Sequence, residues 1–183
     1  AGWVTAAFAT NPYLSTWYGF DRGFGDFEHS LFLEPLLPAE RAVLVRELQR
    51  HLHARQEPES ADVVVPKAQR WLRRHGSERP FFLWLHLMNP HLPYRWRELP
   101  PPAAVPDGLG VVPDPAAVPA DGWFAGRAFS ALRPVRQGQF VPSEAEWRAI
   151  ATLYAREVQF ADAWVGRLLA DDDGQWTLNM NTH

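Results

Sequence analysis

The residue best placed to do chemistry is His91, inside the run Asn89-Pro90-His91-Leu92-Pro93-Tyr94. An imidazole exchanges a proton near neutral pH and can donate a hydrogen bond to an anionic oxygen. Two prolines stiffen the run, so the ring would be presented with little conformational freedom. The alternative is a loop histidine hydrogen-bonded to backbone. By strand alternation His86 points opposite to Leu85 and Leu87, and reads as a satisfied core histidine. His51, His53 and His75 stand on or beside helical faces among Arg and Glu, and read as solvated. His51-x-His53 lacks the i, i+4 spacing that would put two ligands on one helix face. His29 lies in an aromatic loop and is uninformative. Asn11 ends a strand; either it faces the same crevice as His91 and binds substrate, or it caps the turn before Pro12. Asp162 is either a buried hydrogen-bonding carboxylate or a carboxylate in water at a helix edge. Arg133 and Arg136 could touch an anionic substrate or be ordinary surface cations. No Gly-rich phosphate loop, GxSxG elbow, HExxH or EF-hand pattern is present. These residues alone do not make a complete catalytic constellation.

The elements that must position them come next. Residues 3–10, WVTAAFAT, form a short apolar run bounded by Gly2 and Asn11-Pro12, and read as a buried strand. Residues 11–30 mix glycines with aromatic rings, and read as a packed loop whose GFDRGFGDF stretch supplies turns. Residues 38–54 read as a helix with Val43, Leu44, Leu48 and Leu52 on one stripe. Residues 60–75 read as a second helix, burying Val64, Ala68, Trp71 and Leu72, with Gly76 as its stop. Pro66 is acceptable only near a first turn, which points to a start later than Ser60. Residues 80–87 are apolar almost throughout, the pattern of a central strand of a parallel sheet covered on both faces.

Periodicity then disappears in a Pro-rich irregular excursion at about residues 100–142. Ser143-x-x-Glu146 is a capping box. It opens a helix to Ala170 in which Trp147, Ile150, Tyr154, Val158, Ala161, Val165 and Leu168 recur at helical spacing. Residues 176–182 would be a further strand. Helix, turn, strand, loop is the rhythm of an α/β fold: a mainly parallel sheet sandwiched by helices, in one domain over residues 1–183. In open sheets of that kind ligands bind beyond the carboxyl ends of the strands, where the His91 loop would stand.

Composition narrows the functional classes. The net charge of −3, with no block of like charge, gives no support for nucleic-acid binding or a polybasic membrane patch. There is no Cys, which removes disulfides, thiolate metal sites and Cys nucleophiles from these residues. No run approaches the roughly 18–20 apolar residues of a membrane span. The chain starts at Ala1 without Met and stops inside an extended run, so a piece of a domain incomplete at both ends is expected.

Three blocks, in order, resemble the sulfatase family of the alkaline phosphatase superfamily. GWVTAAFATNPYLSTWYGFDRGFGDF looks like that family's GY-x-T-A strand and GFD-x-GF turn. AQRWLRRHGSERPFFLWLHLMNPHLPY is similar to its helix, PFFLWLHF strand and PH-x-PY loop. YAREVQFADAWVGRLL resembles its Y-x-x-x-V-x-x-x-D-x-x-V-G-x-LL helix. The resemblance implies an alkaline-phosphatase-like fold and hydrolysis of small-molecule or glycan sulfate esters. It implies a formylglycine nucleophile and a divalent cation, usually Ca²⁺, held by Asp and Asn oxygens. It makes His91 a catalytic, sulfate-contacting histidine. The departures are specific. The nucleophile motif C/S-x-P-x-R is absent, and the first metal carboxylates would lie upstream with it. Thr10-Asn11-Pro12 stands where many sulfatases carry Lys-x-His, and the tail reads NMNTH where the family has Asp-His-Gly. The expectation is therefore a sulfatase piece without its nucleophile or metal ligands, inactive by itself. A phosphodiesterase or phosphonate monoester hydrolase of the same superfamily and a non-catalytic remnant are the alternatives.

Overall fold

In the computed structural model three runs become parallel strands: β1 (Val4–Ala9), β2 (Asp26–His29) and β3 (Phe81–His86). Their order is β2-β1-β3, with Ala9 opposite His29 on one side and His86 on the other. The structure describes residues 2–11, 13–29, 60–75, 79–91, 94–101, 116 and 132–170. These fall into two units, one within Ala1–His86 and Trp164–His183, the other within Leu87–Ala163. The helix expected at 38–54 and the strand expected at 176–182 lie outside the described residues.

β1 is the central strand of the three. Ala6, Ala7, Phe8 and Ala9 are all buried, so both faces of the strand are covered. Alanine suits such a position, because its small side chain lets neighbouring elements approach closely from either side. Helix α1 (Ala61–His75) packs against β1 and β3 and buries Val64, Val65, Ala68, Trp71 and Leu72. Trp71 meets Phe81 edge-on, which places the odd-numbered side chains of β3 toward α1. On the opposite face Phe24 stacks on Phe82 and Trp84. The arrangement is the expected α/β one, with a parallel sheet.

Three details depart from the sequence reading. First, β3 flanks β1 among the described strands and Phe82 is exposed. An apolar run shows that a strand suits a covered sheet, but not which neighbours cover it. Second, residues 26–29, read as loop, form β2. Their alternation is charged outward and half-buried inward, the pattern of a short polar edge strand, and turn glycines just before it disguise it. Third, α1 starts at Ala61 and runs on through Pro66. A proline in a helix interior forfeits one backbone hydrogen bond, at a cost of about 3 kcal/mol. The buried face of α1 on the sheet offsets it.

The aromatic turn is tied to β1 by Thr5. Its hydroxyl donates to the Gly23 carbonyl (3.0 Å) and accepts from the Gly25 N–H (2.8 Å). Gly19 and Gly23 hold φ of +74° and +91°, where a side chain would be strained. The stretch is a loop as far as Gly25, as read, but Tyr13, Tyr18 and Phe20 are exposed instead of packed inward.

In the other unit, α2 (Leu132–Arg136) is a single short turn of helix late in the Pro-rich excursion. Helix α3 (Glu144–Ala170) follows the capping box as expected; its residues up to Ala163 belong to this unit and those from Trp164 to the sheet unit. Glu146 Oε2 accepts from the Ser143 N–H and hydroxyl, both at 2.7 Å, and the Glu146 N–H donates to Ser143 Oγ (3.3 Å). Those bonds hold the Glu146 carboxyl below its ordinary pKa.

Leu168 is buried as expected, but along the earlier turns the buried face of α3 is a different one. Trp147 and Tyr154 are exposed, while Ala149, Leu153, Glu157 and Phe160 are buried. The true line lies one residue before the apolar one, a rotation of about 100°. Three polar residues, Thr152, Glu157 and Gln159, are on the buried side, which a count of apolar positions cannot anticipate.

Candidate functional site

The backbone leaves β3 at His86 and turns within five residues, with the His91 N–H donating to the Met88 carbonyl (2.6 Å). His91 is exposed there, and the Asn89–Pro90 peptide is cis. Exposure suits a group that must meet a ligand. It also separates His91 from His86, whose environment is quite different.

His86 is half-buried beside the fully buried Thr10. The Thr10 hydroxyl donates to the His86 carbonyl (2.9 Å), and its oxygen lies 3.3 Å from His86 Nδ1. With its own proton given to the carbonyl, the Thr10 oxygen is suited to accept from Nδ1–H. Burial lowers the His86 pKa below its ordinary value, and only a backbone hydrogen bond opposes that. His86 is thus a satisfied structural histidine, as read.

The His91 loop is held by a residue the sequence reading passed over. Glu157, on α3, is 0 % exposed, and a buried carboxylate must be paired or hydrogen-bonded. Its Oε2 accepts from Asn89 Nδ2. Its Oε1 accepts from the Arg95 N–H (3.0 Å), and Arg97 Nε–H is shared between both oxygens, each at 2.9 Å. One carboxylate thus receives donors from before and after His91.

Further contacts keep α3 against this segment. Arg97 lies over the Phe160 ring (5.1 Å) and Arg156 over the Trp96 ring (4.7 Å). Arg156 Nε donates to the Arg97 carbonyl (2.6 Å). Tyr94 meets Tyr154 edge-on at 5.6 Å. Burial first, then the neighbouring Tyr154 and Glu157, pushes the Tyr94 hydroxyl above its ordinary pKa, so it keeps its proton at neutral pH.

The remaining candidates separate. Asn11 Oδ1 accepts the Tyr13 N–H (3.0 Å), the local turn bond anticipated as its alternative role. Asn11 belongs to the sheet unit and His91 to the other. Asp162 is exposed, which settles its two readings in favour of water. His75 is half-buried against Trp71 (5.2 Å) instead of solvated, because the last turn of α1 folds it onto that ring. His29 lies against Phe27. Arg136 is exposed; His51, His53 and the Arg133 side chain lie outside the described residues.

A cleft of about 430 Å³ opens in the sheet unit, lined by Asp26, Glu28, Lys67, Arg70, Trp71 and Arg74 among others. Within it Lys67 pairs with Glu28, and Trp71 Nε1–H donates to Asp26 Oδ2 (2.7 Å). Among the described residues no group of three or more His, Asp or Glu is placed to hold a metal ion. No described helix is long and apolar enough to cross a membrane.

Glu157 could have been suspected from the sequence. It stands four residues after Leu153 and three before Phe160, an acid on an apolar line. The competing line through Tyr154 and Val158 is more apolar and concealed it. A family model described as Sulfatase matches residues 3–176. No curated protein and no solved structure matches the chain.

Proposed function

The chain belongs to the sulfatase family, and from that premise we propose that it is part of an enzyme hydrolysing sulfate esters of small molecules or glycans, with His91 contacting the sulfate. The supporting observation is local. His91 is exposed on a loop whose flanks both bond a buried carboxylate, so the segment that carries the imidazole is held in place at the surface. A sulfate ester carries its charge on oxygen, and its leaving oxygen needs a proton as the S–O bond breaks. An imidazole can supply a hydrogen bond to the first and a proton to the second.

A formylglycine and a divalent cation, Ca²⁺ in most of the family, would supply the nucleophile and charge neutralisation. This sequence has no Cys and no C/S-x-P-x-R, so in this reading the nucleophile comes from outside these 183 residues, and the first metal carboxylates are taken to lie with it. The chain alone then turns nothing over. The absent Lys-x-His pair at Thr10-Asn11-Pro12 favours a second reading, a phosphodiesterase or phosphonate monoester hydrolase.

The test is turnover of 4-nitrophenyl sulfate against 4-nitrophenyl phosphate by a protein that joins these residues to the nucleophile and metal segments. Preference for sulfate, with a loss of about 100-fold in His91→Ala, is expected. Preference for phosphate selects the second reading. Turnover of the sulfate by the 183-residue chain itself would overturn the assignment of the nucleophile to other residues.

A further inference from the structure

We infer that Glu157 is the positioning residue of the His91 loop: a single buried carboxylate closes the loop at its base and so fixes where the imidazole stands. The inference rests on the reading of His91 as the sulfate contact, but the clamp itself is a separate matter of geometry.

A chain from residue 89 to residue 95 can extend about 20 Å. Here the Asn89 side chain and the Arg95 N–H both bond the same carboxylate, so the segment must double back on itself with His91 between its two anchors. A carboxylate has about four acceptor positions. Glu157 offers them to Asn89, Arg95 and Arg97, and the Arg97 guanidinium answers its charge. The donors are of three kinds: a side-chain amide, a backbone N–H and a guanidinium. Only an acceptor-only group satisfies all of them, because a glutamine would turn an N–H₂ toward at least one donor. Leu153 and Phe160 on the same line of α3 are apolar. What Glu157 adds is the fixed base of the loop.

The test uses the whole 183-residue chain, isotope-labelled for NMR, as wild type, Glu157→Gln, Asn89→Ala and the control Ser143→Ala. Two signals are followed: exchange of the Arg95 amide hydrogen, and the response of the His91 ring Cε1–H to inorganic sulfate. Glu157→Gln should speed Arg95 exchange by about tenfold or more and weaken the sulfate response at His91 by about tenfold, the worth of one hydrogen bond to a charged group. Asn89→Ala spares the Glu157–Arg97 pair, and carries the test if Glu157→Gln does not fold. It should weaken the sulfate response by a smaller factor. Ser143→Ala loosens the start of α3 without touching the loop and should alter neither signal. Unchanged Arg95 exchange and an unchanged sulfate response in the folded loop variants would overturn the inference. So would equal changes in Ser143→Ala, which would make the effect one of general helix stability. If wild type gives no sulfate response, the His91 reading fails by itself. The clamp is then decided by Arg95 exchange alone: faster exchange in the loop variants upholds it and unchanged exchange overturns it.

Discussion

The sheet around β1 and the loop around His91 are held by different physics. In the first, Ala6 to Ala9, Val64, Val65, Ala68 and Leu72 exclude water, and hydrogen bonding is mostly the strand ladder. Its stability is spread over many apolar contacts, each of modest worth. In the second, Asn89, Arg95 and Arg97 converge on one carboxylate, and two guanidinium groups cover aromatic rings. Its stability is concentrated. A spread core tolerates a single loss, whereas a concentrated one fails at its centre. The second arrangement suits a segment that must hold a polar group at the surface, because directional bonds fix orientation and apolar contacts do not.

The sharpest way to break this contrast is Glu157→Ala. It removes the carboxylate shared by the Arg95 N–H and the Arg97 guanidinium; losing one partner of a fully buried ion pair costs about 3–5 kcal/mol, and because Arg97 is only partly buried about 2–3 kcal/mol is expected here. Urea unfolding should show a loss of that size; a loss below about 1 kcal/mol would mean the pair behaves as a surface one. Leu72→Ala probes the other region. Truncating a buried leucine costs about 3 kcal/mol, and here the Arg95 amide should stay protected under native conditions. Faster Arg95 exchange in that variant would merge the two regions into one.

Ser143→Ala is the milder change. Loss of the cap hydroxyl should lower stability by about 1 kcal/mol, read from the urea midpoint.

The smallest expected effect is a pH dependence in the sheet unit. His86 is held below its ordinary pKa of 6.5 by burial, so the unfolded chain binds its proton more readily than the folded one. Its contribution is therefore complete above about pH 6.5 and is lost as pH falls below that value toward the folded pKa. His86→Gln should flatten the fall in unfolding midpoint between neutral and mildly acidic pH. A slope identical to wild type would assign the acid sensitivity elsewhere.

Much of the sheet unit was legible from residue order. Apolar runs bounded by Gly, Asn and Pro named β1 and β3, and helical spacing named α1, because burial there follows directly from hydrophobic pattern. β2 escaped, since Asp26, Glu28 and His29 are polar and only pairing with β1 makes them a strand. The candidate site was half legible. His91 declared itself by residue type and by the prolines around it. Its support did not, because Glu157 lies sixty-two positions from Arg95 and looks like any helical glutamate.

The sequence by itself determined the α/β class and the capping box at Ser143 and Glu146, and it put His91 forward as a candidate. Each depends on neighbours a few residues apart, where geometry is set by the local backbone. Only the tertiary structure decided that α3 is turned about 100° from its most apolar line, and that a buried carboxylate lies beneath the His91 loop. Hydrophobic periodicity finds the face that avoids water. It cannot find a face that is buried because arginine, amide and backbone donors from a distant segment meet there and satisfy a charge.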